Sequence, residues 1–159
     1  MAREGGRQHE GNLQMGAANS IAAAVLDWDA GWNDMTIERN VFGTTEPQQI
    51  ASLILHFVRQ YLGSAVTQCL FYETSMGCVL GLSLGDGRNV ALKAQPPSLQ
   101  LDRLLPAQRA QTHLADRGFP APRPILPPTK LVGHLLCVWP FRWAKRDRHL
   151  SSLSLRILT

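Results

Sequence analysis

One lysine in this chain stands where a fixed positive charge could do chemistry. Lys93 is central in a predicted strand, and its neighbours Val90, Ala91 and Leu92 are apolar. Burying a lysine without an anionic partner is costly, so we expect a carboxylate or a ligand phosphate beside it. The simpler interpretation, an edge-strand lysine whose aliphatic stem lies on apolar neighbours, stays open for this residue taken alone.

A turn of small residues precedes Lys93 in the sequence. Residues 74–77 read Thr-Ser-Met-Gly and join two predicted strands. Backbone amides in such a turn can bind an anion beside a fixed positive charge, although any hairpin turn could have this composition. Ser75, Met76 and Gly77 are candidate anion contacts, together with Lys93.

The elements that must position these residues begin with a helix. Thr45 and Gln48 have the spacing of a capping box, and Gly63 stands where a left-handed C-terminal cap is expected. Between them runs one apolar stripe at helical spacing. Its members are Ile50, Leu53, Ile54, Phe57, Val58, Tyr61 and Leu62.

Three extended runs follow, at residues 66–72, 78–84 and 89–94. The second and third are separated by Gly-Asp-Gly-Arg at 85–88, and Asp-Gly is a preferred pair in tight hairpins. Such short connections predict an antiparallel three-stranded meander.

A second helix is predicted over about 104–117, with Leu114 on its buried face and Gly118 ending it. The proline-rich segment 119–124 has to be extended, because proline fixes φ and removes a donor. Residues 125–130 are predicted as a loop, and 131–138 as a strand or hairpin that returns to the sheet.

The order of these elements resembles the small lobe of the protein-kinase-like fold. The residues themselves resemble the aminoglycoside phosphotransferase family, which includes choline-kinase-like enzymes. Two stretches carry the resemblance, Gly-Arg-Asn-Val-Ala-Leu-Lys at 87–93 and the more specific Ala-Gln-Thr-His-Leu-Ala-Asp-Arg-Gly-Phe-Pro-Ala-Pro-Arg-Pro at 110–124. The match covers about residues 42–139.

The resemblance implies an α+β small lobe, an antiparallel sheet with an N-terminal helix and one inserted helix. It further implies ATP as ligand, with phosphates at Lys93 and the turn 75–77, and adenine near a hinge at Leu136–Trp139 that includes Val138.

Residues 1–41 show no sustained period and are predicted to be a variable arm that docks weakly, although Ala17–Leu26 could form a short helix. Trp28 and Trp32 lie in a stretch rich in Asp, Gly and Asn that is predicted as loop. Residues 140–159 would be an unstructured basic and aromatic tail.

The chain departs from the family at two places. The family's helix glutamate, which pairs with the strand lysine, is replaced by Pro106-Ala107-Gln108, so that Gln108 can hydrogen-bond the lysine but not neutralise it. Nothing after Lys93 matches the family's His-Gly-Asp catalytic loop or its magnesium-binding Asp. We therefore predict a lobe that is inactive by itself, with no catalytic residues and no magnesium ligands of its own.

Two kinds of partner follow from this prediction. The first is a nucleotide, with a separately encoded large lobe or self-association completing the structure. The alternative, from a different functional class, is a non-catalytic interaction module whose exposed sheet face binds another protein.

Charge and cysteine content limit the remaining functions. The net charge is +4, and residues 139–159 carry all of it, with five basic residues against one acid. A globally basic surface for nucleic acid is therefore not supported. No apolar run is long enough for a membrane span. The three cysteines at 69, 78 and 137 form no close pair, which disfavours zinc binding with His134 and suits a reducing cytoplasm.

Overall fold

The computed structural model of this chain describes residues 4–31, 34–99, 101–131 and 134–140, and their side chains over 11–31, 34–99 and 102–130. The helices are α1 (Glu4–Asp29), α2 (Thr36–Phe42), α3 (Pro47–Phe57), which a π-helical turn continues over Val58–Leu62, and α4 (Leu101–Asp116). The strands are β1 (Val66–Thr74), β2 (Cys78–Leu84), β3 (Asn89–Gln95), β4 (Leu126–Leu131) and β5 (His134–Pro140). The chain is thus of the α+β class, as predicted.

The five strands form one antiparallel sheet in the order β1-β2-β3-β5-β4. The predicted meander of β1, β2 and β3 is confirmed, and its second connection is a short loop in which Gly87 has a φ of 86°. The Gly87 amide donates to the Leu84 carbonyl, and the Leu84 amide donates to the Arg88 carbonyl. This order makes β3 the central strand, so any side chain on it is flanked by two strands on each side.

One hydrophobic cluster joins the first three helices to one face of β1, β2 and β3. Residues alternate along these strands, so every second side chain enters the cluster. From β3 these are Val90, Leu92 and Ala94, all fully buried. Phe57 of α3 is the largest fully buried side chain. We call the opposite side of these three strands the second face, to which Phe71, Val79, Gly81, Ala91 and Lys93 belong.

Helix α3 confirms the predicted stripe, but its N-terminus differs from the predicted capping box. The N-cap residue is Glu46 and makes no side-chain capping bond. Thr44 instead orders the residues before the helix: its hydroxyl accepts from the Glu46 amide at 3.1 Å and donates to Gln49 Oε1 at 2.8 Å. Gly63 ends the π-helical turn with a φ of 65°, as expected of a left-handed cap.

The predicted weak docking of residues 1–41 is wrong. Helix α1 spans 26 residues, and Ala17, Ile21 and Val25 are completely buried against the rest of the core. Fully burying an aliphatic side chain contributes about 1.5–3 kcal/mol. These residues recur at every fourth position, a narrow stripe whose intervening residues are alanine, asparagine and serine.

Two further predictions are corrected at the C-terminal side of the sheet. Residues 126–131 form β4 and not a loop, and the pairing with β5 is irregular between Leu126 and Thr129, where two prolines lie. Proline is tolerated there because β4 is an edge strand. Leu114 of α4 is 41% exposed, and Gln108 is the residue that this helix buries.

The described helices include none with the length and apolar character that a membrane crossing requires. The predicted tail 140–159 lies outside the described residues except for Pro140, the last residue of β5.

Candidate nucleotide site

Lys93 lies in the middle of the sheet. Its strand neighbours are Val79 on β2 and Cys137 on β5. Because Leu92 and Ala94 on either side of it are buried in the core, the Lys93 side chain stands on the second face, away from the core cluster. The edge-strand interpretation of this lysine is therefore wrong.

The Lys93 ammonium has no anionic partner among the side chains that the structure describes. Its side chain is half-buried, and neither a hydrogen bond nor an ion pair joins it to those residues. Gln108, expected to contact the lysine, instead donates from Nε2 to the Leu126 carbonyl at 3.0 Å and links α4 to β4. A half-buried cation without an anionic partner can bind an anionic group of a ligand.

The turn at 75–77 lies next to Lys93. Cys78 pairs with Ala94, one residue along from the Val79–Lys93 pair. A side-chain carbon on Gly77 would lie 2.5 Å from the Ala94 carbonyl oxygen and 3.0 Å from Gln95 Oε1. Glycine is therefore required here because the turn approaches the backbone of β3 closely.

The turn offers fewer free amides than the sequence predicts. The Ser75 amide donates to the Gly77 carbonyl at 3.0 Å, so it is already used within the turn. Met76 is at the tip, with 79% of its surface exposed. The fixed charge of Lys93 is therefore the larger part of the candidate site.

Val138 was predicted to lie near adenine, and its backbone is close to Lys93 in the sheet. It pairs with Leu92 of β3 and with Leu126 of β4. Its side chain is outside the described residues. The structure thus brings the backbone of all five predicted site residues to one region around the C-terminal half of β3.

Aromatic and small residues lie beside Lys93 on the second face. Gly81 pairs with Phe71 on one side and Ala91 on the other. A side-chain carbon on Gly81 would lie 2.2 Å from the Phe71 ring, so the ring lies directly over this glycine. The result is a low, apolar surface that extends from the turn strands toward Lys93.

Sequence reasoning missed a buried polar cluster beneath the turn. The Tyr72 hydroxyl donates to Glu38 Oε1 at 2.7 Å and lies 3.2 Å from Cys78 Sγ. Glu38 is 2% exposed, Tyr72 4% and Cys78 fully buried. Burial raises the pKa of the Cys78 thiol to about 12, although its hydrogen bond with Tyr72 opposes this. Burial, followed by the neighbouring Cys78 and Glu38, also raises the pKa of Tyr72.

A second polar link reaches the same turn from α1. Trp28 Nε1 donates to Thr74 Oγ1 at 2.8 Å. Thr74 is the last residue of β1 and pairs with Cys78, so this pair closes the turn. The sequence places Trp28 in a stretch predicted as loop, which concealed this contact.

Two shallow grooves occur elsewhere on the described surface. One, of about 320 Å³, follows α4 and is lined by Leu105, Gln108, Arg109, Thr112, His113 and Asp116. The other, of about 570 Å³, lies between the end of α2 and α3 and includes Phe42, Leu53 and His56. Neither groove includes Lys93 or the turn.

Comparison with known proteins adds no relative to this picture. No protein-family model matches the chain, and no curated protein matches its sequence.

Proposed function

We propose that this chain forms the ATP-binding small lobe of a small-molecule phosphotransferase similar to the aminoglycoside phosphotransferases. The observation that carries the proposal is Lys93, a half-buried cation at the centre of the sheet without an anionic partner among the described side chains. Phosphate is the anion that the resemblance implies, and its oxygens suit a fixed cation that lacks an anionic partner.

The sequence of elements supports the same proposal. A helix leads into two strands joined by a small turn, and a hairpin then leads to the strand of the lysine. A helix and a proline-rich link follow before the chain returns to the sheet beside that strand. This is the order on which the resemblance to the kinase-like small lobe rests. Since folds host many activities, the proposal depends on Lys93 more than on this order.

The second face supplies the room for the rest of the nucleotide. Ala91 is two residues from Lys93 on the same side of β3, and Gly81 pairs with it. Ala91 projects no long side chain, whereas the space over Gly81 is filled by the Phe71 ring. A base near the predicted hinge, where Trp139 pairs with Ala91, would leave its phosphates close to Lys93.

The proposal is tested by the thermal unfolding of the chain with and without magnesium-ATP. A ligand that binds only the folded state stabilises it by RT ln(1 + [L]/Kd), about 1.4 kcal/mol when ATP is at ten times its Kd. We expect ATP to raise the Tm of the wild type and to leave that of Lys93→Ala nearly unchanged.

Lys130→Ala is the matched control, since Lys130 is an exposed lysine on the edge strand β4. It should keep the full ATP effect. A cooperative transition that ATP does not shift in the wild type would contradict the proposal and favour the interaction module. Equal loss of the ATP effect in both lysine variants would indicate non-specific attraction of a polyanion.

A further inference from the structure

The turn beside Lys93 is held from its core side by two helices of the N-terminal segment. From α1, Trp28 Nε1 donates to Thr74 Oγ1 at 2.8 Å. From α2, Glu38 accepts a hydrogen bond from Tyr72 at 2.7 Å. We call these two contacts the turn clamp. Both end on the last three residues of β1, immediately before the turn.

We propose that the turn clamp positions the 75–77 turn for phosphate binding, so that the N-terminal helices determine how tightly this chain holds a nucleotide. This inference rests on the proposed function. Trp28 and Glu38 would be positioning residues, because they contact the strand that carries the turn and no ligand.

The polar character of the clamp supports a positioning role. Glu38 is 2% exposed, and a carboxylate at such a site is costly unless it is hydrogen-bonded. An apolar residue in its place would leave the buried Tyr72 hydroxyl without this acceptor. A hydrogen bond differs from apolar packing in being directional, and it therefore holds Tyr72, and with it the end of β1, in one position.

The other side of the turn is held by its close approach to β3. Gly77 lies so close to the Ala94 carbonyl that a side-chain carbon there would be 2.5 Å away. The turn is thus fixed by β3 at one end and by the clamp at the other. Releasing the clamp would leave the Gly77 contact in place while freeing Ser75 and Met76, both exposed, to move away from Lys93.

The test uses three variants of the full chain and one control. Thr74→Val removes the acceptor of the Trp28 bond with little change of shape. Glu38→Met removes the acceptor of the Tyr72 bond, whereas Glu38→Gln keeps an oxygen acceptor. The control is Ser20→Ala, because Ser20 Oγ accepts from the Cys69 amide at 3.0 Å and also links α1 to β1, but away from the turn.

The first readout compares Kd for ATP with Kd for adenosine. A hydrogen bond contributes a net 0.5–1.5 kcal/mol, so we expect Thr74→Val and Glu38→Met each to weaken ATP about three- to tenfold. Adenosine lacks the phosphates that the turn would contact, so its Kd should rise less than about twofold. Glu38→Gln should restore most of the ATP affinity. A parallel loss of ATP and adenosine affinity, or a loss no larger than in Ser20→Ala, would overturn the proposal.

The second readout needs no ligand and measures the alkylation rate of Cys78, located by peptide mass spectrometry. Cys78 is fully buried, and its raised pKa keeps it protonated and unreactive near neutral pH. Cys69, buried elsewhere on β1, serves as the internal control for global unfolding in the clamp variants. In Ser20→Ala, which removes the acceptor of the Cys69 amide, the Cys78 rate is compared directly with that of the wild type. Release of the clamp should increase the alkylation rate of Cys78 about tenfold relative to that of Cys69. This is the factor expected when about 1.4 kcal/mol of local stability is lost.

The two readouts separate the two proposals. If the wild type binds no ATP, the proposed function fails, but selective exposure of Cys78 in Glu38→Met and Thr74→Val still demonstrates the clamp. If Cys78 and Cys69 accelerate equally, or if Ser20→Ala exposes Cys78 as much, the clamp does not exist as a local device.

Discussion

Gly77→Ala is expected to lower the free energy of unfolding of this chain by about 1–3 kcal/mol, the usual cost of overpacking. The new methyl group would lie 2.5 Å from the Ala94 carbonyl oxygen, a backbone atom that cannot move without displacing β3. Gly77 is not among the glycines with positive φ, so the effect arises from this contact and not from backbone strain. Denaturant unfolding followed by circular dichroism measures it.

Gly85→Ala is the matched control in the neighbouring loop. Its nearest contact would be the Ala65 carbonyl oxygen at 3.6 Å, an ordinary van der Waals distance. We expect a change below about 0.5 kcal/mol, typical of an unconstrained surface site. Similar stability of the two variants would show that the turn does not approach β3 as closely as described. Because Gly77 also positions the turn beside Lys93, its alanine variant should lose ATP-dependent stabilisation as well.

Ile21→Ala is expected to destabilise the chain by about 2–5 kcal/mol, the range for removing a large aliphatic side chain from a core. Ile21 is fully buried, together with Ala17 and Val25 on the same face of α1. The loss combines the transfer free energy of the removed methyl and methylene groups with the cavity that remains. The measurement is the midpoint of denaturant unfolding at constant slope, which reports stability separately from compactness.

Leu26→Ala on the same helix is the appropriate comparison. Leu26 is 53% exposed, so its truncation removes little buried surface and leaves no cavity. We expect a change below about 1 kcal/mol, the value of one buried methylene group. If Ile21→Ala were as mild as Leu26→Ala, residues 17–25 would not be part of the core, and the original expectation of a weakly docked arm would be restored.

The parts of the fold that the sequence predicts well are those determined by local chemistry. The stripe from Ile50 to Leu62 needs only helical periodicity to identify it, and the glycine at position 63 needs only its tolerance of positive φ. The strands over 66–74, 78–84 and 89–95 are marked by apolar runs and by the small residues between them. Each of these signals lies within about a dozen residues of sequence.

The candidate site could be predicted only in part. Lys93 and the turn could be chosen from residue type and order alone, and their proximity follows from the hairpin register. The hydrogen-bond partners of individual groups could not be predicted. The Ser75 amide donates to the Gly77 carbonyl, and Gln108 donates to the Leu126 carbonyl. These partners depend on backbone groups that any residue could supply, so residue type carries no signal for them.

By itself, the sequence determined α3, the meander of β1, β2 and β3, helix α4 and the glycine-dependent turns. Only the tertiary structure decided that α1 belongs to the core, that residues 126–131 form an edge strand, and that Trp28 and Glu38 meet the base of the turn. The physical reason is that helix periodicity and turn conformation are properties of neighbouring residues. Burial, in contrast, depends on surfaces brought together from distant parts of the chain, such as Trp28 and Thr74, 46 residues apart.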